Sequence, residues 1–440
     1  MSIAGAVAWT CEGQVSPALS LNDAISAGLK HHPRIAHSEA QVELARSALL
    51  EAKAAQQPMI SADEDMTYSN DPVFSFGSKL RQARFGPSDF GLPSLNHPAA
   101  LANFSTSATA TWTVFDAGSA RHRVASAHSA LMAAQLSTKY TDEELGAQIT
   151  QLYYRALLAE DEVSVAASSV SRAKELASDV QDRTRTGLSL ESDSMRATLA
   201  QRTAEDDLAA AHGDVALARR DLFDAIGIPQ SDHTLMRPMS ESSLDAKLNQ
   251  IPGVPETRLD VQAVRLQESA SRQSHDSYRA AAWPRLSMYG HVESDAEHVV
   301  TNGSGNWTIA AKLELPIFDG GVRKARGQEA DARLHLLQAE ERETILAARS
   351  TTAHLQNQIE DLNRRYRTAQ SAVQAEKEAV QTVRDRYDSG IASISDLLSN
   401  ERDLEAAQFN RVKIFYQLCI ANADLAFASG SSSTSKAGQL

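Results

Sequence analysis

The chain of 440 residues has little cysteine, with Cys11 and Cys419 its only two. That excludes a disulfide framework and a cysteine-based zinc site. Cys419 sits in the apolar stretch 415–427 and reads as a small core residue. Proline (13) and glycine (21) are too scarce for a collagenous or low-complexity chain. Positive charge is also short. The net charge is −13, which disfavours a nucleic-acid binder, since that would need a basic face. No window holds 18 uninterrupted apolar residues, so no transmembrane helix is expected. Barrel strands, with their far weaker signal, are not excluded by that. No phosphate loop or nucleophile motif stands out, and His31 and His32 have no partner at ligand spacing. Neither an enzyme, a cofactor nor a metal site is expected.

The first residues, 1–9, are apolar and small, and Ala6-Val7-Ala8 resembles a signal-cleavage site without a basic n-region before it. An export-signal remnant and a flexible terminus both remain open for 1–19. Thr10 before Cys11 is a poor lipidation context.

What the chain does have is alanine, glutamate, glutamine, leucine and arginine in long stretches, which points to extended helices. It also repeats itself. Phe115-Asp116-Ala117-Gly118 returns as Phe318-Asp319-Gly320-Gly321, an offset of 318 − 115 = 203. At the same offset Val180, Asp182, Arg183 and Gly187 return as Val383, Asp385, Arg386 and Gly390. Ser192 and Asp193 return as Ser395 and Asp396, and Asp221, Leu222 and Gly227 as Asp424, Leu425 and Gly430. Pro58 parallels Pro284, with extra length in the first copy between residues 70 and 103.

From Leu145 to Val180 small or apolar residues recur in alternating steps of four and three, the 3.5-residue period of coiled-coil packing. Leu355 to Tyr387 follows the same steps, with Glu376 the misfit. A helix from Ser119 to Thr186 would run roughly 100 Å at 1.5 Å per residue. Gly187 and Gly390 fall just past the seams, where glycine closes a helix at no steric cost. Ser192 and Ser395, or the serines before them, are candidate caps for the helices that follow.

Four segments instead alternate with period two. Ala108, Ala110, Trp112 and Val114 form one apolar face, and Leu286, Met288, Gly290 and Val292 another. Trp307, Ile309, Ala311, Leu313 and Leu315 form a third, and Ile60, Ala62, Met66 and Tyr68 a fourth with Glu64 out of pattern. Each is about long enough to cross a bilayer in a tilted barrel, yet the smallest barrel needs about eight strands. Open edges in lipid leave backbone groups unpaired. These strands are therefore either soluble hairpins or shares of a barrel completed by other chains.

The order of helix, hairpin, Phe-Asp-x-Gly, long helix, glycine tip and helix, written twice from Leu21 to Gly430, resembles the TolC family of outer-membrane efflux proteins. Leu21, Ala24, Ile25, His32 and Pro33 resemble that family's opening helix, and 315–321 its strand-to-helix junction. The resemblance implies a mainly α fold with a small β part. Each chain would supply duplicated long helical hairpins and four strands, and a homotrimer would complete a 12-stranded barrel and an α-helical tunnel. The expected divisions are a first repeat over 20–228 (hairpin 59–115, helices 119–226) and a linker over 229–256 carrying Pro229, Pro238, Pro252 and Pro255. A second repeat follows over 257–430 (hairpin 284–318, helices 322–428), then a flexible tail over 431–440.

By the same resemblance the chain lies in the outer membrane of a Gram-negative cell and reaches into the periplasm. Its partners are a periplasmic adaptor, an inner-membrane transporter and outer-membrane lipid. Asp396 would form a ring of three carboxylates at the periplasmic entrance. Tyr387 matches a latch tyrosine, with Asp193 its carboxylate partner and Ser192 beside it. The family's latch arginine is Ala392 here, and its second ring position is Ser399, so a weaker closed state and a single ring are expected. The aromatic and basic loop with Phe74, Phe76, Phe85, Phe90, Lys79, Arg81 and Arg84 reads as a constriction of the mouth or as a packed surface loop. An adaptor protein and a soluble coiled-coil scaffold are the alternatives. Two hairpins at one offset and four alternating strands disfavour the first.

Overall fold

The computed structural model describes residues 18–229, 234–236, 257–299 and 303–430. The expected signal remnant before residue 18, most of the 229–256 linker and the 431–440 tail lie outside those residues. In chain order the elements are β1 (Ala18–Leu19), α1 (Leu21–His31), α2 (Pro33–Ala54), β2 (Met59–Ser69), α3 (Pro72–Arg81), α4 (Leu92–Asn96) and β3 (Leu101–Phe115). Then come α5 (Ser119–Arg185), α6 (Glu191–Ile226), β4 (Thr234–Leu235) and α7 (Leu259–Ala280). The chain continues with β5 (Arg285–Ala296), β6 (Ser304–Glu314), α8 (Val322–Asp388) and α9 (Ile394–Ala428). Both α5 and α8 have 67 residues, and their ends differ by the same 203 that separates the sequence repeats. Among the described residues no helix is long and apolar enough to cross a membrane.

The described residues divide into two compact units, one drawn from the ranges 1–40, 136–262 and 342–440, the other from 41–135 and 263–341. In the first, Leu145, Ile149, Tyr153, Leu222, Ile226, Val412 and Tyr416 share a core with Ala24 of α1. α1 starts at a reciprocal cap between Ser20 and Asp23. It stops because Pro33 pushes His32 into extended backbone, and the same proline opens α2. Gly28 lets α1 approach α5 closely, since a Cβ there would come within 2.3 Å of Ile149 Cδ1. The Tyr153 hydroxyl is set between the carbonyls of Leu19 (2.8 Å) and Met236 (2.7 Å), joining α5 to the short β1–β4 bridge. Of the proposed seams, Leu145, Ile149, Ala156, Ala166, Val180, Leu355, Ile359, Leu362, Ala369 and Val380 are buried.

The second unit holds a four-stranded antiparallel sheet in the order β2-β3-β5-β6. Its register stacks the apolar residues in rows: Ile60–Ala110–Gly290–Ile309, Ala62–Ala108–Val292–Trp307, Trp112–Met288–Ala311 and Phe115–Leu286–Leu313. The opposite face carries Ser61–Thr109–His291–Thr308 and Asp63–Ser107–Glu293–Asn306. The four apolar rows span roughly 20 Å along the strands at about 3.4 Å per residue. Beyond them Glu64, Thr106 and Ser294 form a polar row, which is why Glu64 breaks the sequence pattern. Trp307 and Ile309 are 74% and 70% exposed. Among the described residues the outer edges of β2 and β6 have no strand partner.

Two expectations need correction. Val114 has no partner of its own in the ladder, because a bulge between Thr113 and Phe115 sets Phe115 opposite Leu286. The stretch from 70 to 103 is not one long loop either. Asp71 caps α3, which Pro72 opens, and Phe85 packs edge-on against both Phe76 (4.8 Å) and Phe90 (5.0 Å). Gln82 donates to Asn103 Oδ1 (2.7 Å), and Arg81 reaches Glu293 (3.1 Å), so this insert is packed onto the polar face of the sheet.

Candidate functional site

The repeated Phe-Asp-x-Gly motif is a strand-to-helix turn. After β3 the chain turns through Ala117 (φ 53°) and Gly118 (φ 89°); after β6 it turns through Gly320 (φ 67°) and Gly321 (φ 88°). Two successive residues in the left-handed region call for glycine or a tolerated small residue. The aspartate then satisfies the first helical N–H groups. Asp116 accepts from the N–H of Gly118 (3.1 Å) and Ala120 (2.6 Å). Asp319 accepts from the N–H of Gly321 (3.1 Å) and Arg323 (3.1 Å), and from Arg323 Nε (2.7 Å). The Phe115 and Phe318 side chains are exposed.

The other duplicated feature is the pair of hairpin tips. Gly187 (φ 78°) ends α5 and Gly390 (φ 72°) ends α8. In each, the following N–H reaches back to an arginine carbonyl: Leu188 to Arg183 and Ile391 to Arg386, both 2.8 Å. The tips then diverge. At α9 the cap is Ser393, whose hydroxyl accepts from the Asp396 N–H (3.2 Å), while the Asp396 carboxylate accepts from the Ser393 hydroxyl (2.7 Å) and N–H (3.1 Å). The repeat partner of Ser393 is Leu190, which caps α6 with no side-chain hydrogen bond. Neither Ser192 nor Ser395 is the cap: both lie exposed in the first turn, and the extended backbone a cap requires falls at Leu190 and Ser393.

Asp396 is fully solvent-facing, and its hydrogen bonds from Ser393, hydroxyl first and backbone second, hold it below the usual carboxylate range. Asp193 is half-buried in the first turn of α6. Tyr387 is buried in a cluster with Leu176, Val180, Ala197, Ile394 and Leu397, which packs the first hairpin onto the second. Its hydroxyl has no hydrogen-bond partner, so within the protomer Tyr387 is not joined to Asp193 or Ser192. Ala392 packs against the same cluster, and Ser399 is exposed.

Sequence reading missed Arg183. Its guanidinium lies 5.2 Å over the Tyr387 ring and pairs with Asp179 (3.2 Å) and Asp388 (2.5 Å). Arg172 with Glu401 (2.8 Å), Arg384 with Glu175 (3.8 Å), and Arg196 with the Ser395 hydroxyl add further ties between the hairpins. The i, i+4 spacing of Asp179 and Arg183 was the available signal. The contact with Tyr387 joins residues about two hundred positions apart.

A family model described as "Outer membrane efflux protein" matches residues 24–228 and 254–431. Protein CyaE of Bordetella pertussis is 24% identical over 425 residues, spanning 94% of this chain and 85% of that protein. Outer membrane protein OprJ of Pseudomonas aeruginosa is 29% identical over 147 residues, 32% of this chain and 31% of OprJ. Among solved structures, the fold is similar to outer membrane protein VceC of Vibrio cholerae with a TM-score of 0.77 at 18% identity, covering 93% and 96% of the two chains. The open state of the Neisseria gonorrhoeae MtrE channel gives 0.76 at 20% identity, covering 94% and 89%. With its two matched segments covering most of its length, the chain belongs to the outer membrane efflux protein family.

Proposed function

We propose that this chain is one of three identical subunits of a passive exit duct, in which strands β6 and β2 of neighbouring copies pair to close a 12-stranded barrel. As a family member it is an outer-membrane efflux protein and not an enzyme. The observation that carries the subunit reading is the sheet. It has an exposed apolar face four rows deep and a polar opposite face, and it ends in two unpaired edges. In lipid those edges need partners. Because all three pairings within the sheet are antiparallel, β6 of one copy would meet β2 of the next in the same sense.

The hairpin tips are the proposed periplasmic entrance. Asp396 supplies a ring of carboxylates there, which concentrates cations and repels anions. Leu188, Leu190 and Ile391 are exposed at the tips and offer an apolar contact to a periplasmic adaptor. The adaptor would bind the open arrangement more tightly than the closed one and so shift the equilibrium. The Arg183–Tyr387 stack and the Arg183–Asp388 pair hold the two hairpins in the arrangement seen here. With no latch arginine at Ala392, Arg183 is the cation placed to do this. Energy and cargo choice belong to an inner-membrane transporter. Relatives sharing this family carry names as different as pyoverdine export protein OpmQ and toluene efflux pump protein TtgI, which supports a duct that does not select.

The test is to fractionate cells expressing the chain and to record detergent-extracted protein in planar bilayers. Recovery in the outer membrane, a mass of three subunits and stepwise conductance are expected. A water-soluble monomer without conductance would overturn the proposal.

A further inference from the structure

Where the four strand ends of the sheet unit meet their helices lies an open pocket of about 580 Å³. Four arginines line it, Arg121, Arg123, Arg285 and Arg326, against two acidic residues, Asp116 and Glu314. Both carboxylates are engaged. Asp116 spends its oxygens on the N–H groups of Gly118 and Ala120 and stands 3.9 Å from Arg123. Glu314 already receives Arg285 (3.2 Å) and Lys312 (3.1 Å). Arg121 and Arg326 have no ion pair or hydrogen bond among the described residues. Arg123 and Arg326 are partners in the 203-residue repeat, so each copy contributes a cation to one pocket.

Two tryptophans complete the wall. Trp112 is fixed by its indole N–H on the Gln56 carbonyl (3.0 Å), and Trp283 leaves 67% of its surface exposed. The position along the sheet is equally informative. Arg285 and Glu314 are the next paired residues beyond Leu286–Leu313, the last apolar row. Excess arginine beside an aromatic ring at the edge of an apolar band is the composition that holds anionic groups at a membrane surface. Planar guanidinium groups match phosphate oxygens two at a time.

We propose that this pocket is a binding site for a phosphate group, carried by an anionic phospholipid or free in solution. Its chemistry stands on the pocket alone, whereas its place at a lipid surface rests on the channel reading above. The test titrates the full-length protein in mild detergent, following tryptophan fluorescence. The probes are dihexanoyl phosphatidylglycerol below its micelle concentration, dihexanoyl phosphatidylcholine and inorganic phosphate. The Arg121→Gln/Arg326→Gln double variant is compared, with Trp283→Phe as reporter control and bilayer conductance recorded for every protein. Saturable phosphatidylglycerol binding is expected, with little from phosphatidylcholine and about a tenfold loss in the double variant. Competition by phosphate assigns the group from either source; binding of phosphate without the lipid assigns the free anion. Equal binding of the two lipids, or an unchanged double variant that still conducts, overturns the site and leaves the channel standing. Absence of conductance in the unaltered protein counts against the channel instead.

Discussion

Glycine carries the duplication at the scale of single residues. Three pairs at one offset, Gly118/Gly321, Gly187/Gly390 and Gly227/Gly430, all have positive φ. These were legible in sequence because backbone conformation is a local property. Substituting Gly321 by alanine should cost about 1–2 kcal/mol through left-handed strain alone, since no neighbour lies within 4 Å of the new Cβ. Thermal unfolding of the extracted protein measures this, and unchanged stability would remove glycine's conformational role there. The helix caps were less legible. Ser393, the serine before Ser395, caps α9, but its repeat mate Leu190 offers no capping side chain, so the repeat did not carry the cap over to α6.

Asp396 has a role in the α9 cap and, by the function proposed above, a second in the ring, and two variants separate them. Asp396→Ala should reduce block by multivalent cations and also loosen the first turn of α9. Ser393→Ala should loosen that turn while leaving block in place, as read by conductance and hydrogen exchange. Block that survives Asp396→Ala would refute the ring. The carboxyl's folded pKa lies below its unfolded value, so its contribution to the cap is complete above the ordinary carboxylate range, near pH 4. It disappears as pH falls through the depressed folded value, and exchange at the α9 N-terminus should rise over that window. Tyr387 gives a third case. Its hydroxyl has no partner, so Tyr387→Phe should be near neutral, whereas Tyr387→Ala should cost about 3 kcal/mol for its packed ring. A large loss in the phenylalanine variant would show that the hydroxyl is used in another arrangement of the tips.

At the scale of elements, period-two alternation found all four strands of the sheet and the 3.5-residue seams found the buried stripes of α5 and α8, because both patterns repeat over many residues. What escaped was short. α3 has ten residues, and β1 and β4 have two each, so no periodicity can build up. α3 is instead held by contacts from outside itself, through Gln82 and Arg81. The sheet yields an asymmetric prediction. Ile309→Asp, on the exposed apolar face, should sharply reduce protein recovered in the outer membrane, because a charge on a lipid face costs up to several kcal/mol. Thr308→Asp, one residue along on the polar face, should be tolerated. Equal recovery of both would mean that the apolar face is not the one in lipid.

At the scale of the whole molecule, the repeat announced two hairpins of equal length, and α5 and α8 have 67 residues each. Assembly is the part no single chain can spell out. The two edges of the sheet left loose among the described residues differ, β2 at one side and β6 at the other, so the proposed ring closes only head to tail. A chain whose β2 edge has been spoiled, for instance by a proline, would still accept a neighbour on β6 but could not itself be received. Made alongside an equal amount of the intact chain, it should therefore poison mixed rings. In the three-subunit ring proposed above, random mixing would leave about one ring in eight free of the faulty copy. Such a mutation should behave as genetically dominant, whereas one that merely unfolds the chain before it meets its sisters should be recessive.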